Sequence, residues 1–291
     1  MLLVMRLFIC LLVALFLLTP AIAEEIRLAT WNIENLRDPG VASNKRKERD
    51  FKRLARYATE MDADIVALQE IESEAALEKI FDPSVHAFYM STRNDTQRVA
   101  LVVRNTVAVT HYAELSEFDT TGGVRHAVEM EITLGQQPIR LLAVHLKSFC
   151  FTGTLPAPDL GGNHCEKLAT QIPLLEQWID TTASDEVPFV VLGDFNRRLN
   201  LPNDAVWAEL DDADPQNLVL HRASEGQLSR CWDGEYPEYI DHFVYNSQAL
   251  ALIEPASLKQ IVYTEDVSLK SSLSDHCPLT IDLRSAAATK N

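Results

Sequence analysis

Basic side chains are scarce in this sequence: 26 Lys and Arg stand against 42 Asp and Glu in 291 residues, a net charge of −16. A field of that sign disfavours loose, non-specific association with nucleic acid or an anionic membrane. It does not exclude a nuclease, because a local cluster of cations and bound metal can still hold a phosphate. Cysteine is also sparse, five in all, and no pair has C-x-x-C spacing, which argues against a zinc knuckle. Beyond residue 24 there is no internal repeat, low-complexity tract or long linker. The long apolar run, Leu7 to Leu18, is too short to span a bilayer comfortably.

That run has the layout of an export signal. Arg6 is the only charge in the first 23 residues and precedes it, and Thr19-Pro20-Ala21-Ile22-Ala23 supplies the small residues a signal peptidase reads. An uncleaved anchor is the alternative, against which the run length and the Ala-Ile-Ala tail weigh. Cys10 lacks the preceding small residue of a lipoprotein signal. The expectation is a signal peptide over 1–23 and a single domain over 24–291, exported to the periplasm or the medium. No stable membrane association is expected after cleavage, and the mature chain is expected to be a monomer. Its 268 residues suit one large domain, and at 47% hydrophobic content the chain can fill a sizeable core.

Four cysteines remain after cleavage: Cys150, Cys165, Cys231 and Cys277. An even count in an exported chain predicts disulfides, with three possible connectivities. Cys150–Cys165 would close the Gly/Pro-rich loop Phe149 to His164, stabilising by roughly 3 kcal/mol in the chain-entropy model. Cys231–Cys277 follows by elimination.

Periodicity predicts a strand over Ile26 to Asn32, an amphipathic helix over Arg46 to Met61, a buried strand over Asp64 to Gln69 and a helix over Glu74 to Phe81. Strands follow over Arg98–Arg104, Val107–Glu114, Arg125–Thr133 and Ile139–His145, then a helix over Glu166–Thr182 containing Pro173. Val187–Leu192 reads as a strand and Asp204–Leu210 as a short helix. Strands recur near Leu218 and over Tyr239–Tyr245, Leu258–Tyr263 and Pro278–Leu283. Meandering strands with helices inserted early and midway predict packed sheets with helices outside.

Polar residues cluster at the ends of these apolar strands: Thr30-Trp31-Asn32-Ile33-Glu34, Leu68-Gln69-Glu70, His145-Leu146-Lys147, Gly193-Asp194-Phe195-Asn196, Tyr239-Ile240-Asp241-His242 and Ser274-Asp275-His276-Cys277. Strand alternation puts Asp194 and Asn196 on one side and Phe195 on the other, and turns His242 away from Asp241 toward a structural role. Asp275 and His276 can reach one site only if the chain turns there. A single Asp or Asn at a strand end is more often a cap or turn residue than a ligand. Six such strand ends in one chain point to a site. Its hard oxygen donors suit Mg²⁺ or Mn²⁺ rather than zinc.

The stretches TWNIENL, ALQEIE, VHLKS, GDFN, YIDHF and SDHCPL, in this order, resemble the endonuclease/exonuclease/phosphatase superfamily, with its deoxyribonuclease and abasic-site endonuclease branches. They run from Trp31 to Leu279. The resemblance implies an α+β, four-layer α/β/β/α sandwich: two mostly antiparallel mixed sheets packed face to face, helices outside, the site at one edge. It implies Glu70 as principal metal ligand with Asn32 and Asp275 in or beside the coordination shell. Asp194 and Asn196 would handle the attacking water and the scissile phosphate, and His276 would pair with Asp241. His145 would contact phosphate or assist proton transfer, and Arg125 would be a phosphate-binding arginine. The deoxyribonuclease branch carries a further glutamate that orients the first histidine, after the strand matching Ala87 to Met90. Here Ser91 to Asn94 holds no acid, leaving Asp95 as the stand-in.

The expected activity is therefore metal-dependent hydrolysis of phosphodiesters, with nucleic acid as substrate. A phosphomonoesterase or a sphingomyelinase-like phospholipid phosphodiesterase is the alternative within the superfamily. A lipid substrate would call for an apolar docking hairpin, which the sequence does not display. A non-catalytic binding protein on the same fold is the third reading, and the intact set of acids and histidines weighs against it.

Overall fold

The computed structural model describes residues 25–93, 95–155 and 163–285; the expected signal segment lies outside them. Twelve strands form two sheets of six. The first contains β1 (Glu25–Leu36), β2 (Ile65–Ile71), β3 (His86–Met90), β4 (Arg98–Arg104), β11 (Lys259–Gln260) and β12 (Leu279–Arg284), in the order β11-β12-β1-β2-β4-β3. The second contains β5 (Val109–Leu115), β6 (Ala127–Leu134), β7 (Gln137–His145), β8 (Phe189–Asp194), β9 (Leu220–Arg222) and β10 (Asp241–Asn246), in the order β5-β6-β7-β8-β10-β9.

The two orders are one topology used twice. Each sheet is antiparallel except for its central pair, β1 with β2 and β7 with β8. Each central pair is joined by a crossover helix, α1 (Glu48–Met61) or α3 (His164–Ser184). Parallel neighbours require such a crossover, and its helix must lie on a sheet face. Here α1 covers the outer face of the first sheet through Phe51, Leu54, Tyr57 and Met61. Leu168, Ile172, Leu175 and Ile179 of α3 cover the outer face of the second. The result is the expected four-layer α/β/β/α sandwich.

The central strands are buried on both faces, so they are continuously apolar yet still obey a period of two. Leu28, Ile65, Ala67, Leu141, Ala143, Val190 and Leu192 meet between the sheets. Ala29, Val66 and Leu68 face α1, and Leu142, Val144 and Val191 face α3. At Gly193 the backbone of β8 comes so close to β7 that a Cβ would sit 2.1 Å from the Val144 carbonyl oxygen, at φ +145°. Only glycine fits there.

Two short elements differ from expectation. The helix over 74–81 is regular only in α2 (Glu74–Leu77), after which i→i+3 bonds at Lys79 and Ile80 interrupt the pattern. The strand near 258–263 shrinks to Lys259–Gln260, because the Tyr263 phenol turns inward to bond the His276 carbonyl and accept from the Trp31 indole. The short helix α4 is Ala205–Leu210, capped by Asp204. Cys150 is bonded to Cys165 and Cys231 to Cys277. Among the described residues no helix is long and apolar enough to cross a membrane.

Candidate active site

The site forms where the inter-sheet apolar layer runs out and polar residues take the next inward positions. On β1, Asn32 follows Ile26, Leu28 and Thr30. On β7, His145 follows Ile139, Leu141 and Ala143. On β8, Asp194 follows Val190 and Leu192, and Asp241 precedes the inward Phe243 and Tyr245 on β10. In register, Asp194 is flanked by His145 on one side and Asp241 on the other. Glu70 joins them through a bulge: the β2 register shifts between Gln69 and Ile71, and Glu70 takes φ +66°.

Asp194 is the hub. Its Oδ2 accepts from Asn32 Nδ2 at 2.9 Å and Asn196 Nδ2 at 3.0 Å, and lies 3.5 Å from His145 Nε2 and 3.9 Å from His276 Nε2. Its Oδ1 accepts the Asn196 backbone N–H at 2.8 Å. Strand alternation is therefore not what brings Asn196 to Asp194. The strand ends at Asp194, and Asn196, at φ +50°, folds back over it. His276 Nδ1 stands 2.7 Å from Asp241 Oδ2. Asn32 Nδ2 also points to Glu70 Oε1 at 3.4 Å, while its oxygen accepts the Glu34 N–H, so the amide bridges the two carboxylates. Glu70 Oε2 accepts the Asn35 N–H at 3.0 Å.

Asp275 and His276 reach the site on a bend. The Ser274 hydroxyl donates to the Asn32 carbonyl and accepts the His276 N–H, and the Glu34 carboxylate accepts the Asp275 N–H. Arg46, buried, donates to the carbonyls of Ile33, Glu34, Asn35, Ser272 and Leu273, clamping the exit of β1 to this segment. Arg125 lies buried in the cleft wall, bonded to Gln97 and to the Leu146 carbonyl.

The environment separates the two histidines. Burial, reinforced by Arg125 and His276, holds His145 well below the usual imidazole range. Burial also penalises a charged His276, but Asp241 and Asp194 outweigh it and hold its pKa well above that range. One ring is thus neutral and the other protonated at neutral pH. Burial and then Asp241 push Asp194 up to about 7, with His276 opposing. Burial and then Asp275 raise Glu34.

Carboxylates that raise one another's pKa are crowded like charges, and Asp241 Oδ1 is buried without a partner. An acidic surrounding of this kind, rich in carboxylate oxygen, fits a hard divalent cation. Among the described residues, Asp194, Asp241 and His276 present donor atoms within 4.8 Å of one another. Glu70, Asn32 and Asp275 line the same cleft, of about 520 Å³, as do His145, Asn196 and Arg125.

The nine residues given site roles from the sequence, Asn32, Glu70, Arg125, His145, Asp194, Asn196, Asp241, Asp275 and His276, thus meet in one cleft, and His242 does not. It is buried on the other face between the Arg197 carbonyl and the Ser224 hydroxyl, and burial depresses it to about 4. Asp95 does not take the orienting role. It is held by Arg93 and the Gln97 N–H, and His145 Nδ1 is buried without a partner. Glu34, which also lines the cleft, carries no role in the sequence reading, and its place two residues after Asn32 is the signal that points to it. Arg46 sends no such signal, because within Lys45-Arg46-Lys47 it reads as part of a solvated charge run.

A model of the Endonuclease/Exonuclease/phosphatase family matches residues 29–276. No curated protein matches the sequence significantly. Among solved structures, D. rerio TDP2 complexed with single-strand DNA product is similar at TM-score 0.63 and 16% identity, covering 90% of this chain and 99% of that one. An endonuclease/exonuclease/phosphatase from Bacteroides vulgatus gives 0.63 and 17%, covering 90% and 99%. The Xenopus laevis APE2 catalytic domain gives 0.60 and 16%, covering 91% and 94%.

Proposed function

The chain belongs to the endonuclease/exonuclease/phosphatase family, and on that premise we propose that it is an exported, divalent-metal-dependent hydrolase of phosphodiester bonds in DNA or RNA. Residues 1–23 would be removed on export to the periplasm or medium, leaving a single catalytic domain that acts as a monomer. The observation that carries the catalytic reading is the His276–Asp241 pair facing Asp194 across a cleft floor that also holds Glu70, Asn196 and Arg125. The similarity to a TDP2 fold bound to single-strand DNA product supports nucleic acid as substrate.

A phosphodiester resists attack because its own charge repels the nucleophile. Glu70, with Asn32 and Asp275 beside it, would hold Mg²⁺ or Mn²⁺, which supplies charge neutralisation on the phosphate. Asp194, fixed by Asn32 and Asn196, orients the attacking water and takes its proton. Protonated His276, held in one orientation by Asp241, faces the charge that develops on phosphorus-bound oxygen. Neutral His145 and Arg125 grip the phosphate from the opposite wall.

Plasmid DNA, RNA, a sphingomyelin analogue and inositol phosphates should be assayed side by side, with Mg²⁺ and with chelator. Nucleic acid should be cleaved only with metal. Glu70→Gln, which keeps volume and removes charge, should lose about a hundredfold or more in kcat/KM at micromolar metal with an unchanged circular dichroism spectrum. Turnover of the lipid or the monoesters alone would overturn the substrate class. Full activity of Glu70→Gln at micromolar metal would remove Glu70 as the main ligand.

A further inference from the structure

Phe149 stands at the mouth of the catalytic cleft in a conformation that costs the chain something. It is 67% exposed, and its φ is +70°, a left-handed backbone that a bulky side chain rarely adopts. A large ring that is both strained and left in water is not there for the core. It lines the cleft together with Phe151 and Arg198.

Its surroundings hold it still. Cys150 is tied to Cys165 by the disulfide, and the fully buried Arg197 donates to the Cys150 and Gly153 carbonyls while pairing with Asp204 at 2.7 Å. The Arg198 N–H donates to the Phe151 carbonyl. The Phe149 ring lies 6.3 Å from that of Phe151 and 5.1 Å from that of His164, with Lys147 Nζ 5.6 Å above it. Arg198 lies 5.9 Å over the Phe151 ring. Phe149 is the fourth residue after His145, so its Cα is at most about 14 Å from the phosphate-facing end of β7.

The cleft lining shows why such a platform is needed. Six carboxylates, Glu34, Glu70, Asp194, Glu238, Asp241 and Asp275, line it against two arginines, Arg125 and Arg198. Two arginines give a polyanion little hold beyond the scissile phosphate. Stacking of an unpaired base on an aromatic face needs no positive charge and tolerates any base.

We infer that Phe149, backed by Phe151, is a nucleobase-stacking subsite for the nucleoside next to the scissile phosphate, and that it selects single-stranded nucleic acid. The inference rests on the nuclease reading above. Phe149 is a specificity residue rather than a catalytic one, so its removal should act on KM.

The test is steady-state kinetics on a single-stranded DNA oligomer and on a tetrahydrofuran oligomer of the same length, which keeps the phosphodiesters and lacks the bases. Phe149→Ala should raise KM about tenfold on the DNA oligomer, leave kcat within about twofold, and change nothing on the baseless oligomer. Phe149→Trp should keep the wild-type KM. Phe149→Gly, which relieves the backbone, should show the same KM defect without a lower melting temperature, separating the subsite from a folding role. Equal losses on both oligomers, or none on either, would overturn the subsite while leaving the nuclease reading intact. Wild-type protein inactive on both oligomers, on plasmid DNA and on a single-stranded RNA oligomer would overturn the nuclease reading and the subsite with it.

Discussion

At the scale of single residues, the arrangement to test is the His276–Asp241 pair. A carboxylate 2.7 Å from Nδ1 fixes the ring and leaves Nε2 facing Asp194. Asp241→Asn keeps the shape, removes the charge and allows the wrong tautomer. His276→Ala and Asp241→Asn should each lower kcat by roughly 10²–10⁴-fold, and the double variant should lose little more, as for groups that act together. If Asp241 only ties β10 to the 274–277 bend, Asp241→Asn will instead lower the melting temperature with kcat near wild type, and additive kcat losses would defeat the coupled pair. Both partners were visible in the sequence because each is a polar residue where an apolar strand ends. Glu34 was harder to assign because 42 acids compete for attention and strand alternation does not describe its positive-φ backbone. Arg46 was invisible because its five carbonyl partners come from two segments more than 200 residues apart.

At the scale of elements, α3 shows a cost that the fold carries. Glu176 and Asp180 are four residues apart on one face, where like charges repel, and Asp212, Glu209 and Asp214 come up beside them from the region of α4. Burial and these neighbours raise Glu176 to about 8. A carboxyl whose folded pKa is raised favours the folded state most at low pH, below its unfolded pKa, and that contribution is lost as pH rises through about 8. Glu176→Gln should therefore raise the melting temperature at pH 8 and change it little at pH 5. A variant equally stabilised, or destabilised, at both values would show that charge is not the cause. The helix itself was plain from its period, Pro173 notwithstanding, as were the central strands, whose apolar runs are interrupted only at their ends. The doubled topology was not, because β5-β6-β7-α3-β8-β9-β10 and β11-β12-β1-α1-β2-β3-β4 share strand order and pairing without sharing sequence, and the second set closes only when β12 returns from far along the chain to pair with β1. That return sets the position of Asp275 and His276 beside Asn32, which no local pattern foretells.

At the scale of the whole molecule, the proposed nuclease reading requires a protein with net charge −16 to hold a polyanion. Proteins that do so through 6–10 phosphate contacts lose about 10³–10⁵ in affinity between roughly 50 and 200 mM salt, as displaced counterions lose their entropic advantage. Among the described residues this cleft offers two lining arginines, Arg125 and Arg198, for contacts along the strand. Two contacts to a single strand predict a slope of about −1.4 in log affinity against log salt. The general repulsion works the other way, since added salt screens it and eases approach. The dependence of kcat/KM on NaCl, measured on a single-stranded oligomer at constant free Mg²⁺, should therefore be flat or fall with a slope no steeper than about −1.4. The charge-reducing variant Arg198→Gln should flatten it further by about 0.7. A slope steeper than about −4 would reveal a track of phosphate contacts that the acidic surface is not supposed to offer. It would move the source of affinity from the bases to the backbone.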